Sequence, residues 1–490
     1  MGAGVSNWRL AQAVSRAGQL GVVSGTALDL ILVRRLQDGD PGGHMRRGLD
    51  AFPFPRITEH IWQRYHIPGG KPAHAPYAVL PMHSAQGVRE RQELCVAANF
   101  VEVFLAREGH SNPVGINYLE KIQLPHLPSI FGAMLAGVEY VLMGAGIPLK
   151  IPGVLDAFAE HRAASYPLHV AGSEGAEEVT LTFDPREVLG PGLPPLTRPH
   201  FLAIISSNTL ALTMVRKANG RVDGFVVEGD TAGGHNAPPR GKLQLNPRGE
   251  PIYGERDQVD FARLAELGLP FWLAGGYGRP GKLDEALALG AAGVQVGTAF
   301  AFCAESGLRD DYKRALVAKA ADGAAEVFTD PLASPTGFPF KVAQLEGTMS
   351  DAEAYEDRAR ICDLGYLRQP YRTEEGGVGY RCPAEVVAVY VAKGGKPEDT
   401  AHRKCVCNAL MANIGYPQLR SGGYLEPGLV TSGNDLTELG PFLPADGSAY
   451  CAADVIAVLL GDAPPPGSGD SSQVELALQA CVGASLISEC

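Results

Sequence analysis

The sequence predicts a parallel β/α barrel with two attached segments. Three observations lead there. Short β-branched runs ending in glycine or a small polar residue recur along the chain, helical stretches follow them, and the runs lack polar alternation. Unbroken apolar runs belong to strands buried on both faces, as in a parallel sheet. Strand followed by helix, repeated this often, indicates an α/β architecture. The 490 residues, 45% of them hydrophobic, are enough for a barrel of roughly 250 residues or more with additions.

The runs, in order, are Leu20–Thr26 (LGVVSGT), Val114–Leu119 (VGINYL), Tyr140–Gly146 (YVLMGAG), Phe201–Ser207 (FLAIISS), Gly224–Gly229 (GFVVEG), Phe271–Gly276 (FWLAGG) and Gly293–Phe300 (GVQVGTAF). Amphipathic stretches such as Asp260–Leu267 and Leu283–Leu289 lie between them. A closed (β/α)8 barrel needs an eighth strand. It is expected before Val5, where Met1–Gly4 reads as a strand's tail end and loop; otherwise something else closes the barrel. The barrel is assigned to residues 1–335. Residues of about 36–110, rich in Pro, His and Arg, read as a long insertion after the second strand. Residues 336–460 read as an α-rich subdomain or cap. The Pro-, Gly- and Ser-rich 461–490 segment reads as a flexible tail.

Composition excludes several classes. With 42 Lys and Arg against 54 Asp and Glu, the net charge is −12 and there is no basic stripe, so neither nucleic acid nor an anionic membrane is an expected partner. No apolar run reaches the roughly 18–20 residues of a bilayer span, and the N-terminus lacks a secretory pattern, so a cytoplasmic location is expected. Nine scattered cysteines in such a chain read as reduced thiols. Cys405 and Cys407 are the one close pair, with Cys362 and Cys382 upstream. Metal sites prefer wider spacing between paired thiolates, so these read as buried structural thiols and no metal is assigned. Cys303 reads as helix packing. There is no Gly-x-Ser-x-Gly elbow, Walker loop, His-Glu-x-x-His or opening Gly-x-Gly-x-x-Gly.

Barrel enzymes carry their chemistry at the carboxyl ends of strands. Gly275 and Gly276 end one run, with a helix starting near Lys282. Gly297 and Thr298 end the next. Such glycines let amides approach an anion, and adjacent final strands are the usual phosphate site of a barrel. Glu228 closes an earlier run and leads into Gly233, Gly234 and His235. Histidine exchanges protons near neutrality, and the two glycines let the loop lie flat on a planar ligand. Alone, such a histidine is more simply a turn residue. Arg240 and Lys121 are candidates for meeting an anionic substrate, although both are as readily read as solvated loop charges.

These pieces carry a resemblance. Gly233-Gly234-His235, then LAGGYG and LALGAAGVQVGTAF, are similar to the nitronate monooxygenase (2-nitropropane dioxygenase-like) family, whose relatives include FMN-dependent enoyl-ACP reductases. The opening MGAGVSNWRLAQAVSRAGQLGVVSGT and the VGINYL strand resemble it as well, so the likeness covers about 1–30 and 110–310. It implies non-covalent FMN. The phosphate would rest on Gly275, Gly276, Gly297 and Thr298. Met1, Gly2 and Asn117 would lie near the isoalloxazine and ribityl groups, with Glu228, Gly233 and Gly234 as further cofactor contacts. His235 matches the catalytic histidine. The implied reaction is oxidation of a nitronate or similar small anion with dioxygen. The alternative is an NAD(P)H-dependent enoyl reductase of lipid or polyketide synthesis, with the nicotinamide bound transiently. A homodimer is left open. Two departures bear on the substrate: Gln19 stands where the family has Gly, and Asn-Ala-Pro-Pro-Arg-Gly after His235 is longer than the usual turn.

Overall fold

The computed structural model describes residues 2–173, 178–444 and 449–461. Met1 and the proposed tail beyond Gly461 lie outside them. All seven anticipated runs form strands: β1 Gly21–Ser24, β2 Val114–Leu119, β3 Tyr140–Gly144, β4 His200–Ile205, β5 Gly224–Glu228, β6 Phe271–Ala274 and β7 Gly293–Gln295. They pair in parallel, each with its successor, in one seven-stranded sheet. The register aligns Ser24 with Asn117, Glu228 with Ala274, and Ala274 with Gln295. Their carboxyl ends therefore meet along one rim.

The two faces explain the unbroken apolar runs. Val23, Ile116, Val141, Phe201, Phe225 and Leu273 point outward into the main core beneath the helices. Leu142, Leu202, Val226 and Ala274 form a separate inner cluster with Val22, Ile204 and Trp272. Outside lie helices Trp8–Arg16, Leu28–Gln37, Arg89–Arg107, His126–Leu135, Ile151–Ala159, Asn208–Lys217 and Lys282–Ala288. Asn7, Ser207 and Asp260 cap their helices by accepting N–H bonds from Leu10, Leu210 and Arg263.

The sheet is curled into a half-barrel, and among the described residues the expected eighth strand does not appear. Residues 2–5 make a turn instead of an eighth strand: Val5 N–H donates to the Gly2 carbonyl, and Gly4 holds a left-handed φ of 65°. This segment still fills the gap. Ser24 N–H donates to Ser6 O at 2.8 Å, the Ser6 hydroxyl to Val22 O at 2.6 Å, and Gly307 N–H to Val5 O at 2.8 Å.

The 36–110 segment is helical, with helices His44–Asp50 and Pro55–Tyr65 ahead of the long Arg89–Arg107 crossover. Buried Glu102 on that crossover pairs with Arg35 and accepts the Trp8 N–H at 2.9 Å, tying three helices together. An antiparallel hairpin, Ala164–Leu168 with Val179–Phe183, interrupts the expected rhythm between β3 and β4. The 336–460 segment is not simply α-rich. Phe340–Ala343 pairs antiparallel with Val327–Asp330, and Gln369–Arg372 with Val378–Arg381, among short helices. Among the described residues no helix is long and apolar enough to cross a membrane.

Helix Arg89–Arg107 crosses helix His126–Leu135 at Gly132, where an added Cβ would lie 2.2 Å from the Val96 carbonyl oxygen. Glycine to alanine inside a helix normally stabilises by about 1 kcal/mol. Here the crossing reverses the sign: Gly132→Ala should lower stability by about 1–3 kcal/mol. Denaturant midpoints measure this, and a stabilised variant would contradict the crossing.

Candidate active site

The rim encloses two adjoining cavities of about 560 Å³ and 90 Å³. The larger lies within the range of small-molecule sites. It is walled by Gly275, Gly276, Gly297 and Thr298 at the ends of β6 and β7, above inner side chains such as Leu202, Val226 and Trp272. The smaller is lined by Asn117, His235, Phe340 and a band from the C-terminal segment that includes Leu364, Tyr366, Leu367, Val406, Leu410 and Met411. Gly2, Glu228, Gly233, Gly234, Gln295 and Thr431 line both, so the cavities meet at the loop after β5.

Local structure explains the loop's shape. Gly234 has φ 87°, a conformation that suits glycine, and a Cβ there would enter open space. The Gly234 amide donates to Thr431 Oγ1 at 2.8 Å, and its carbonyl accepts from Lys341 N–H at 2.9 Å. Asn236 N–H donates to Pro339 O. Residues 339–341 and 431 thus clamp the loop on both sides. The His235 ring packs edge-on against Phe340, and its Nε2 lies 2.6 Å from Ser334 Oγ, which in turn lies 2.8 Å from Thr336 Oγ1.

The electrostatics follow from burial. Desolvation, reinforced by the Lys121 ammonium, lowers the His235 pKa from 6.5 to about 3, so the imidazole is neutral near pH 7. Burial also lowers Lys121 from 10.5 to about 7, against the opposing pull of Glu120 and Glu228. Burial raises Glu228 from 4.5 to about 7, with Lys121 opposing. The Lys121 Nζ lies over the Phe338 ring, 2.7 Å from its centroid, and has no hydrogen-bond partner.

The phosphate-type cradle is partly closed by residues 433–435. Gly433 N–H donates to Thr298 Oγ1 at 3.0 Å, and Asp435 Oδ2 accepts from Gly278 N–H at 3.2 Å. The Gly297 position remains clear: a Cβ there would meet no atom within 4 Å.

The structure thus brings together, around the joined cavities, Gly2, Asn117, Glu228, Gly233, Gly234, His235, Gly275, Gly276, Gly297 and Thr298. Lys121 stands close enough to shift His235 and Glu228. Arg240 is exposed, its N–H donates to Asp257, and it lines neither cavity. Sequence reasoning missed the C-terminal band. Tyr366 is held there by buried Asp29, which accepts its hydroxyl at 2.7 Å and also pairs with Arg91 and His83 at 2.8 Å each. The runs DLGYL and CNALM were the available signal, as apolar residues interleaved with Cys, Asp and Asn.

Residues 196–332 match the family model for nitronate monooxygenase. The match to that family is confined to this stretch. The stretch contains β4 to β7, the Gly233-Gly234-His235 loop and both glycine-ended turns. The match covers the strand ends and glycine turns that border the larger cavity. No curated protein matches the chain. Among solved structures it is similar to FabK from Thermotoga maritima, at 15% identity and TM-score 0.43, covering 98% of this chain and 92% of that one. It is also similar to nitroalkane oxidase from Streptomyces ansochromogenes, at 15% identity and TM-score 0.46, covering 98% and 95%.

Desolvation of the half-buried His235 sets a pH dependence. Unfolded, His235 protonates near 6.5; folded, only near 3. Between these values the unfolded chain binds the extra proton, so folded stability is lost as pH falls through that window. His235→Asn should make denaturant stability decline less steeply from pH 6.5 towards 3. An unchanged slope would show that the ring is not desolvated.

Proposed function

We propose that the chain is an FMN-dependent reductase of α,β-unsaturated acyl groups, using NAD(P)H as the source of electrons. The observation that carries this reading is the composition of the smaller cavity. The wall facing His235 is built from Leu119, Ile122, Ile204, Leu364, Leu367, Val406, Leu410 and Met411, which suits an acyl chain better than a small hydrated anion.

The residues present fit FMN. Thr26 Oγ1, on the lining of the smaller cavity, is buried without a partner, and an unpaired buried polar atom is costly unless a ligand meets it. Gly297, Gly276 and Gly275 would hold the phosphate. Asn117, Glu228 and Gly2 would border the ring system, whose flat face the Gly233-Gly234 loop can approach. When bound, FMN supplies two-electron hydride chemistry.

The chain's own residues would do the following. The apolar band binds the acyl chain and excludes water. Neutral His235 orients the substrate: with Ser334 donating to Nε2, the Nδ1–H is left to donate to the acyl carbonyl oxygen. That hydrogen bond strengthens as negative charge develops on the oxygen. Lys121 and Glu228, both titrating near 7, hold a proton that can be given up at neutral pH.

A second reading, oxidation of nitronates with dioxygen, is favoured by the family match over 196–332 and by the buried Lys121 ammonium as an anion partner.

Anaerobic mixing separates the two. NADPH should bleach the flavin, and an enoyl thioester should restore its colour faster than a nitroalkane does. Flavin that NADPH leaves oxidised, in a protein that turns over nitronates in air, would establish the second reading instead. His235→Asn should retain FMN while turnover falls by roughly 10²- to 10³-fold, the worth of one hydrogen-bond donor to a developing oxyanion.

A further inference from the structure

Four cysteines that are far apart in sequence converge on the outer side of the apolar band. Cys362 and Cys382 lie close enough for each thiol to shift the other's titration. Cys382 interacts electrostatically with both Cys405 and Cys407, and Cys362 likewise with both. Cys405 and Cys407 also act on each other, so every pair among the four is within range. The supporting backbone is interlocked. The Cys405 Sγ lies 3.6 Å from the Ile361 carbonyl, next to Cys362. The Arg360 guanidinium donates to the carbonyls of Pro383 and Glu385, flanking Cys382. None of the four is in a disulfide.

Cys362 and burial raise Cys382, burial raises Cys405 and Cys407, and Cys362 alone is lowered, by its neighbour Cys382, so the four would be held as thiolates only by a cation among them. The backbone N–H groups of Tyr366 and Leu367 are directed at the Cys407 sulfur, and that of Asn408 at Cys405, with Asn408 Nδ2 also 3.6 Å from it. Such bonds to sulfur tune cluster sites. Arg360, Arg368 and Arg420 supply positive charge around Cys382, Cys362 and Cys405 respectively. Four thiolates packed together repel one another unless a cation lies among them.

Spacing selects the kind of centre. Among the described residues the one group of three ligand atoms lying within 4.8 Å of one another is Asp29, His83 and Cys95, and its carboxylate is already paired with Arg91. No three of the four cysteine sulfurs therefore lie that close to one another. A tetrahedral zinc with Zn–S near 2.3 Å needs sulfurs only roughly 3.8 Å apart. A multi-iron cluster holds its four thiolates farther apart and takes four cysteines.

We propose that Cys362, Cys382, Cys405 and Cys407 ligate an iron–sulfur cluster. It stands behind the apolar wall, and Cys407 belongs both to the cluster and to the cavity lining. The close Cys405-Val406-Cys407 spacing works because the first sulfur turns towards Ile361 while the second is met by the amides of Tyr366 and Leu367. The proposal is independent of the flavin reading.

The test is iron and acid-labile sulfide analysis of the full chain, purified anaerobically and also reconstituted with ferrous iron and sulfide, with FMN measured in the same sample. Equal iron and sulfide, about two or four of each per chain, are expected, with a paramagnetic signal on dithionite reduction. Cys362→Ser and Cys405→Ser should each lose most of both, while Cys95→Ala, a buried cysteine outside the group, keeps them. Reconstituted wild-type protein that takes up neither would overturn the proposal. So would one zinc per chain without sulfide, or a Cys362–Cys382 disulfide in metal-free protein. Because the wild-type uptake needs no variant, misfolding of a variant cannot decide the outcome, and FMN content reports separately on the flavin site.

Discussion

A seven-stranded parallel sheet that curls without closing has two free edges, and a strand edge left open is a row of unpaired backbone groups. Much else in this molecule follows from that constraint. The β1 edge is met by the turn at residues 2–6, through Ser24 and Ser6. The same turn reaches across to Gly307, beyond β7. Residues 428–435 complete the closure, with Val430 bonded to Ala343 and Gly433 to Thr298. A closed small barrel fills its interior with side chains. Here the gap leaves room for the larger cavity, bounded by two pieces of chain that are not strands.

The clamp on the Gly233-Gly234-His235 loop connects this architecture to chemistry. Phe340 and Thr431 fix the loop from the C-terminal side, and in doing so bury His235 beside Lys121 and Glu228. Three titratable groups thereby share one poorly solvated rim. Their pKa values move towards the uncharged forms because burial dominates, and each charge modulates the others. Perturbed groups gathered in a cleft are what acid–base chemistry at neutral pH requires.

The seven strands and their parallel order were legible because buried strands in a parallel sheet must be apolar on both faces. The loop from Glu228 to His235 and the turns at Gly275 and Gly297 were legible because strand ends and glycines mark where backbone can approach a ligand. The eighth strand was misjudged because Met1–Gly4 looks like a strand end, whereas Gly4 takes a left-handed turn. The hairpin at Ala164–Leu168 was missed although VTLTF alternates cleanly, because it falls between two runs already assigned to the barrel. The apolar band was not legible for a different reason: Leu364, Val406 and Met411 reach the cavity only through long-range packing. The four cysteines did stand out in the sequence, but the Cys-x-Cys spacing argued against a metal. Arg240 shows the converse: a suggestive loop charge that tertiary structure directs into solvent.

The central claim is that the glycine-walled part of the large cavity holds the phosphate of FMN. Titrating flavin-free protein with FMN and, separately, with riboflavin, by quenching of flavin fluorescence, tests it most directly. The two ligands differ only in the phosphate. Charge-assisted bonds to that group predict FMN binding tighter by at least on the order of tenfold. Equal affinities, or no binding of either, would contradict it.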